Sequence, residues 1–406
     1  MLGTLLSMPF GPSFPEPVRN VFALGWIFGL VGCRVASSHA PVALAGAWPF
    51  AAFALAMAVS IALSEFRDVS LARASHVPVG LLFFVAIQEL CASAPAARRL
   101  IFALAGGVGA IGVDVIVQAS TGTSLLGLVP LETSRPRGSL PLPNDLALVA
   151  SLLPFALALV EPRKLATSAL GLAAAALGVA GILLSQSRNA LLGAGVALGV
   201  STLLRAPRRV AVALAAVALL APALLVLAAP STALGGLDRL SNFEQDGRVG
   251  IWSVAWRMFR EDPFLGKGAF SFGEFYVRTI HEVPLPDGYE PERRRIPWAH
   301  SLYLEQMSEQ GGLGLAVFLA VLSTSWISCW RARASGALPA ASEDAKSPGR
   351  LRLAEAALAS LAAFAVMGLF DLTFQKDWVL LIFSLLSALA GSLARLSRAG
   401  GAPGAR

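Results

Sequence analysis

Three side chains suited to chemistry at a phosphorylated sugar stand far apart in the chain: Arg188, Arg248 and His300. Two guanidinium groups can clamp a pyrophosphate bidentately, and a neutral imidazole can take the proton of a hydroxyl. Together they suit transfer of a sugar from a lipid pyrophosphate to an acceptor alcohol. The arginines would meet the negative charge growing on the departing pyrophosphate while His300 activates the incoming hydroxyl. Arg137 and Tyr303 complete the expected substrate-binding set with Arg188 and Arg248. Each residue also has a plainer reading: Arg188 could snorkel to lipid headgroups, and a lone interfacial histidine is often a structural hydrogen-bonding residue. What favours the chemical reading is that Arg188, Arg248 and His300 fall on one side of a membrane, and that placement follows from the elements around them.

The 406 residues are 56% hydrophobic and only 14% charged, against roughly a quarter charged in a soluble domain, which argues against a water-soluble globule. Uninterrupted apolar runs such as Leu165 to Leu184 and Val210 to Ala229 approach the roughly 20 residues that cross a hydrocarbon core. A lipid-facing open sheet would leave backbone groups unpaired and the alternation of a membrane barrel is absent, so the expected fold is an all-α polytopic membrane protein. The net charge of +7 speaks to orientation and anionic lipid rather than to nucleic acid, for which no role is expected. Cys33, Cys91 and Cys329 lie in or at the ends of apolar segments, without the spacing of a disulfide framework or a metal cluster. The N-terminus has no basic stretch before its short apolar run, which argues against a cleaved signal peptide.

Candidate spans fall near 21–33, 41–64, 76–94, 100–117, 146–160, 165–186, 189–204, 210–229, 312–330, 353–370 and 378–394, giving about 11–12 transmembrane helices with one long periplasmic loop. Placing the loop of Arg331, Arg333, Lys346, Arg350 and Arg352 in the cytoplasm also puts Arg98 and Arg99, Arg163 and Lys164, Arg205, Arg208 and Arg209, and the Arg395 tail there. Every boundary agrees with the positive-inside rule, and the segment after residue 229 lies outside. The expected organisation is an N-terminal helix bundle (1–229), a periplasmic loop carrying proposed catalytic residues (230–311) and C-terminal helices with a cytoplasmic tail (312–406).

The outer loop is unusually rich in Arg, and reads either as an anion-binding ectodomain or as a solvated basic loop beside anionic headgroups. Asp246 could cap a helix with apolar positions Ile251, Trp252, Ala255, Trp256 and Phe259, stopped by Asp262-Pro263. That helix would lie on the membrane surface or pack the loop onto the bundle. His300 is expected to begin a helix after Pro297, where the positive end of the dipole disfavours imidazolium. Arg188 sits in Ser185-Gln-Ser-Arg-Asn-Ala at an outer span boundary. Glu89 and Asp114 could be relay acids but lie near helix ends, where structural pairing is preferred. Gly106, Gly107, Gly109, Gly193 and Gly195 suggest close helix packing. No outer Asp-x-Asp pair or His/carboxylate cluster of ligand spacing, Walker loop, dinucleotide fingerprint or Gly-x-Ser-x-Gly elbow is present, so neither metal nor cofactor is expected and the energy must come with the substrate.

At these residues the chain resembles the O-antigen ligase and O-antigen polymerase superfamily of bacterial inner membranes. The matching pieces are SQSRNALLGAGVAL around Arg188, GRVGIWSVAWRMFREDPFLGKGAFSF from Gly247, AHSLYLEQMSEQGGLG around His300, and the earlier RPRGSLPLPNDLALVASLLP. The resemblance implies a bundle of about a dozen helices and glycan transfer from an undecaprenyl-pyrophosphate carrier on the periplasmic side. By motif, Arg188 and Arg248 would bind the pyrophosphate and His300 would be the acceptor-activating base. The chain departs from the family in its apparent span count and in the run Arg293-Arg294-Arg295, which would serve acceptor or lipid binding.

Within the superfamily a ligase uses lipid A-core as acceptor, a polymerase uses a second carrier-linked glycan, and a protein O-oligosaccharyltransferase uses Ser or Thr of a protein. The single outer loop of moderate length favours the ligase. A transporter of lipid-linked glycan is the reading from another class, but it should place ionisable groups near mid-membrane or show repeat symmetry.

Overall fold

The computed structural model describes residues 47–91, 94–125, 128–132, 134–161, 164–207, 248–283, 295–336 and 348–399. They form twelve α-helices: α1 (Ala47–Ala62), α2 (Arg67–Ala72), α3 (His76–Leu90), α4 (Ala94–Thr121), α5 (Ala147–Ala158), α6 (Leu165–Ser185), α7 (Arg188–Arg205), α8 (Arg248–Glu261), α9 (Phe272–Thr279), α10 (Leu302–Gly336), α11 (Pro348–Gly368) and α12 (Asp377–Ala399). Among the described residues the only β pairing is an isolated bridge between Thr123 and Pro130.

Among the described residues six helical segments are long and apolar enough to cross a membrane: Arg67–Leu90, Ala97–Thr121, Leu165–Ser185, Leu302–Ser335, Leu351–Gly368 and Asp377–Arg395. The expected spans at 21–33 and 210–229, and the expected cap Asp246, lie outside the described residues. Each other expected span coincides with a helix over its described residues, although α5, at 12 residues, falls short of the roughly 20 that a bilayer core requires. In α5 every residue except Leu157 is buried. A helix apolar on all sides can be covered by other helices as well as by lipid, and hydropathy cannot distinguish the two. The helix packs against α4, α6, α7 and α11.

One glycine expectation is corrected. Among the described residues a Cβ added at Gly106, Gly107 or Gly195 would meet nothing within 4 Å, whereas at Gly112 it would lie 2.4 Å from the Leu177 backbone of α6, and at Gly193 it would overlap the Met367 sulfur of α11. Small residues matter only where they face a neighbouring backbone or a large side chain, and consecutive glycines cannot all do so.

The two ends of the bundle collect different groups. At one end Glu355 takes Arg205 (3.4 Å) and Arg333 (3.5 Å), while Glu161 takes Lys164 (2.9 Å) and Arg352 (3.7 Å). The described parts of the segments expected on the outer side gather at the other end: 122–125, 128–132, 134–146, 185–188, 262–283, 295–301 and 369–377. Asp114 belongs to this end, its Oδ2 accepting the Ser139 backbone N–H at 2.6 Å, a structural role as preferred above.

Helix α10 is broken at Gly311 (φ 67°, ψ −170°), a backbone region open essentially to glycine alone. The segment after α8 fits into the break. Gly312 and Leu313 donate to the Pro263 and Phe264 carbonyls, Lys267 and Gly268 donate to the Ser308 and Glu309 carbonyls, and the Glu309 carboxylate accepts from Phe270 N (2.7 Å) and Phe272 N (3.0 Å). Groups freed by the kink are thus re-satisfied by a docked loop. This fixes α8 and α9 over the N-terminal half of α10, where Ile251, Val254, Ala255, Met258, Phe272 and Ala299 share a small core.

Candidate active site

His300 does not begin α10 as expected from the sequence. Ser301 does the capping: its carbonyl accepts from Glu305 N (2.9 Å) and its hydroxyl from Leu304 N (3.5 Å), so the helix starts at Leu302. His300, just before the cap, takes a left-handed conformation with φ 51°. Such a conformation costs a non-glycine residue of order 1–3 kcal/mol and collects at functional sites. The imidazole is part-buried, 5.7 Å from the Trp298 ring. It meets the connection between α11 and α12, where Nδ1 lies 2.8 Å from Oδ1 of Asp371.

Asp371 is 3% exposed and holds two partners, His300 on Oδ1 and Asn144 Nδ2 on Oδ2 at 2.6 Å. Burial pushes its carboxyl up. The His300 hydrogen bond, the Lys376 charge, the charge of His300 when protonated and the Asn144 amide outweigh that and hold it below the usual carboxylate range. An ionised carboxylate only accepts, so Nδ1 carries the proton, and in the neutral ring Nε2 keeps a lone pair. Lys376 lies 2.8 Å from Asp145 Oδ1 and 5.1 Å from the centre of the Trp298 ring. Burial pulls its ammonium down, but Asp145 and Asp371 more than compensate and hold it above the usual lysine range.

On its other side Asn144 accepts from Arg135 Nη2 at 3.0 Å. The same guanidinium donates to the last carbonyls of α6, Ser185 O at 3.0 Å and Gln186 O at 3.4 Å. Those carbonyls are left free because Gln186 leaves the helix in the left-handed region (φ 54°), and a cation there suits both the orphan oxygens and the dipole. Ser187 then caps α7 through Ala190 N, which puts Arg188 at the first helical position, exposed.

The structure therefore brings His300 and the segment bearing Arg188 into one hydrogen-bonded chain, His300–Asp371–Asn144–Arg135–Ser185/Gln186. Arg248 is the first residue of α8, and its link to His300 runs through packing, since Ile251 one turn on shares a core with Ala299. Among the described residues neither Arg188 nor Arg248 is held in an internal hydrogen bond or ion pair. Arg137 and Tyr303 stand outside the chain. The Arg137 guanidinium donates to Pro141 O and pairs with Glu132 at 3.3 Å, and the Tyr303 hydroxyl donates to Ala365 O at 2.9 Å. Of the triple-arginine run, Arg293 and Arg294 lie outside the described residues and Arg295 pairs with Glu274 at 3.0 Å.

Sequence reasoning passed over Asp371, Asn144, Arg135 and Lys376. Arg135 and Asn144 lie inside the quoted RPRGSLPLPNDLA motif, and Asp371 and Lys376 occupy the short turn between α11 and α12. Charged residues at a span end on the same side as the candidate site are a usable signal. Their pairing crosses up to 231 residues of sequence and could not be read from it.

No curated protein matches the chain. Residues 172–319 match the family model described as O-antigen ligase, a stretch that includes Arg188, Arg248 and His300, while Arg135, Asn144, Asp371 and Lys376 lie beyond it. Helical architecture, apolar spans and this match over about a third of the chain agree in supporting a likeness to the O-antigen ligase superfamily.

Proposed function

We propose that the protein is a bacterial inner-membrane glycosyltransferase that moves a glycan from undecaprenyl pyrophosphate to an acceptor hydroxyl, with lipid A-core as the acceptor and the site on the periplasmic side. The observation that carries this reading is the His300–Asp371 pair at 2.8 Å, at the same end of the bundle as the exposed Arg188. Nε2 of His300 takes the proton of the acceptor hydroxyl as its oxygen bonds the anomeric carbon. The bond from that carbon to the phosphate oxygen breaks, and the pyrophosphate departs with its charge met by Arg188 and Arg248, which take the part a divalent ion plays elsewhere. Asp371 orients the ring and stabilises the imidazolium that forms. The site is broader than the loop 230–311, since 135–145, 185–188 and 371–376 contribute to it.

The test uses the chain in proteoliposomes with an undecaprenyl-pyrophosphate-linked glycan and, in parallel, lipid A-core, a second carrier-linked glycan and a pilin-like protein as acceptors. Product on lipid A-core is expected. Product only with the second carrier-linked glycan would identify a polymerase. Donor translocation without product, unaffected by His300→Ala, would identify a transporter.

A further inference from the structure

Asn144 accepts on one side and donates on the other, a pair of roles suited to a short amide. Its neighbour on one side is Arg135 (Nη2 to Oδ1, 3.0 Å), on the other Asp371 (Nδ2 to Oδ2, 2.6 Å). A guanidinium only donates and is always charged, so the oxygen of Asn144 must face Arg135. The amide nitrogen is thereby turned to Asp371, which must offer a lone pair on Oδ2. Its other oxygen accepts from Nδ1 of His300. The arginine thus fixes the donor direction of the first two links, and the ionised carboxylate of Asp371 fixes the third. The same guanidinium also holds Ser185 O and Gln186 O, immediately before Arg188.

We propose that Asn144, clamped by Arg135, is a positioning residue for the transfer reaction: it holds the Asp371–His300 pair in the arrangement that leaves Nε2 free to accept a proton, and keeps that pair in register with the start of α7. The proposal rests on the reading of His300 as the base. Aspartate at position 144 would still accept from Arg135 but would present a second acceptor to Asp371. Leucine would fill the space and join neither. Lysine or glutamine is too long for a gap spanned by two bonds of 3.0 and 2.6 Å.

The decisive variant is Asn144→Asp. Two carboxylates this close retain a proton to higher pH than either would alone. The charged groups around them are His300 and Lys376 on Asp371, Asp145 and Glu305 on Lys376, and Arg135 on position 144. Arg73 reaches the same turn through the Gln375 carbonyl. A proton kept on Asp371 removes the acceptor that orients the imidazole. Once that proton has gone, the added negative charge favours imidazolium. Both effects leave His300 a competent base only at higher pH.

The measurement is the pH profile of turnover in proteoliposomes carrying the undecaprenyl-pyrophosphate-linked donor and lipid A-core, together with 15N-histidine spectra of the same membranes without substrate, in which His300→Gln identifies the signal. For Asn144→Asp we expect the acid limb of turnover, and the titration of the His300 nitrogens, to move up by about one pH unit or more. Asn144→Leu should lower kcat about tenfold or more with donor KM changed less than about twofold, because the register of the base and not donor affinity is lost. An Asn144→Asp protein that follows the wild type in both turnover and spectra, or an Asn144→Leu protein with wild-type kcat, overturns the assignment. The spectra need no substrate, so they decide the role of Asn144 even if His300→Ala retains turnover and the base assignment itself fails.

Discussion

Nδ1 of His300 lies 2.8 Å from Oδ1 of Asp371, a contact between residues 71 positions apart that joins the entrance of α10 to the turn between α11 and α12. Asp371 is held below the ordinary carboxylate range, so its stabilising contribution is present above the unfolded value of about 3.9 and is lost only as pH falls through the lowered folded value. Between pH 5 and 8 it stays ionised, so loss of activity on acidification within that range is not expected to come from Asp371, which a pH–rate profile checks.

Replacing Asp371 by Asn removes the ionised acceptor and leaves the tautomer of His300 unfixed. Turnover should fall about 10²–10⁴-fold with donor affinity retained, the range associated with loss of acid–base function. Single-turnover kinetics beside equilibrium binding of the donor separates the two quantities. Unchanged turnover would remove Asp371 from the mechanism.

Lys376 and Asp145 form a buried pair, with side chains 11% and 2% exposed and 2.8 Å apart. Lys376→Met leaves the carboxylate without its cation and is expected to destabilise the chain by about 3–5 kcal/mol. Adding Asp145→Asn should recover much of that loss, because the uncompensated charge goes too. Thermal unfolding in detergent compares the wild type, the two single variants and the double variant. The raised ammonium of Lys376 carries a contribution fully present below the ordinary lysine value of about 10.4 and lost as pH climbs through the folded value.

Arg188 and Arg248 are expected to act through planar, bidentate contacts, for which lysine is a poor replacement. Arg188→Lys and Arg188→Ala should both reduce kcat/KM, the alanine variant by about 10²-fold or more. Neither should shift the unfolding midpoint appreciably, since Arg188 is exposed. A lysine variant with full kcat/KM would show that charge alone suffices.

Gly311 combines a φ of 67° with a backbone approach in which an added Cβ would lie 2.3 Å from the Phe264 carbonyl. Gly311→Ala should cost more than about 2 kcal/mol from the backbone conformation and the clash together. It should also loosen the loop docked into the α10 break, read out as faster proteolysis between residues 262 and 272 in proteoliposomes. Intact stability and protease resistance would show that α10 can straighten.

Much of this architecture is legible in a single sequence. Apolar runs near the bilayer thickness locate the helices α3, α4, α6, α10, α11 and α12, because hydrocarbon penalises every unpaired polar group and so forces length and composition together. The distribution of Arg and Lys sorts the loops into two ends, and the structure gathers Glu161, Arg205, Arg333, Arg352 and Glu355 at one of them as that sorting requires. His300, Arg188 and Arg248 also stand out, since neutral imidazole and bidentate guanidinium are the side chains this chemistry needs.

The partners of His300 were decided only in three dimensions. Nothing in local spacing connects it with Asp371, Asn144 and Arg135, because hydrogen bonds between separate helices depend on which ends are brought level and not on separation along the chain. The same holds for its backbone. A Pro297 upstream suggests that a helix begins at His300, whereas the Ser301 cap displaces the start to Leu302 and leaves His300 in the left-handed turn that points its ring at Asp371. Composition and periodicity thus determined the all-helical membrane class and the approximate position of most described helices. Tertiary packing determined which carboxylate orients the His300 ring, since orientation is a property of neighbours and neighbours are set by the fold.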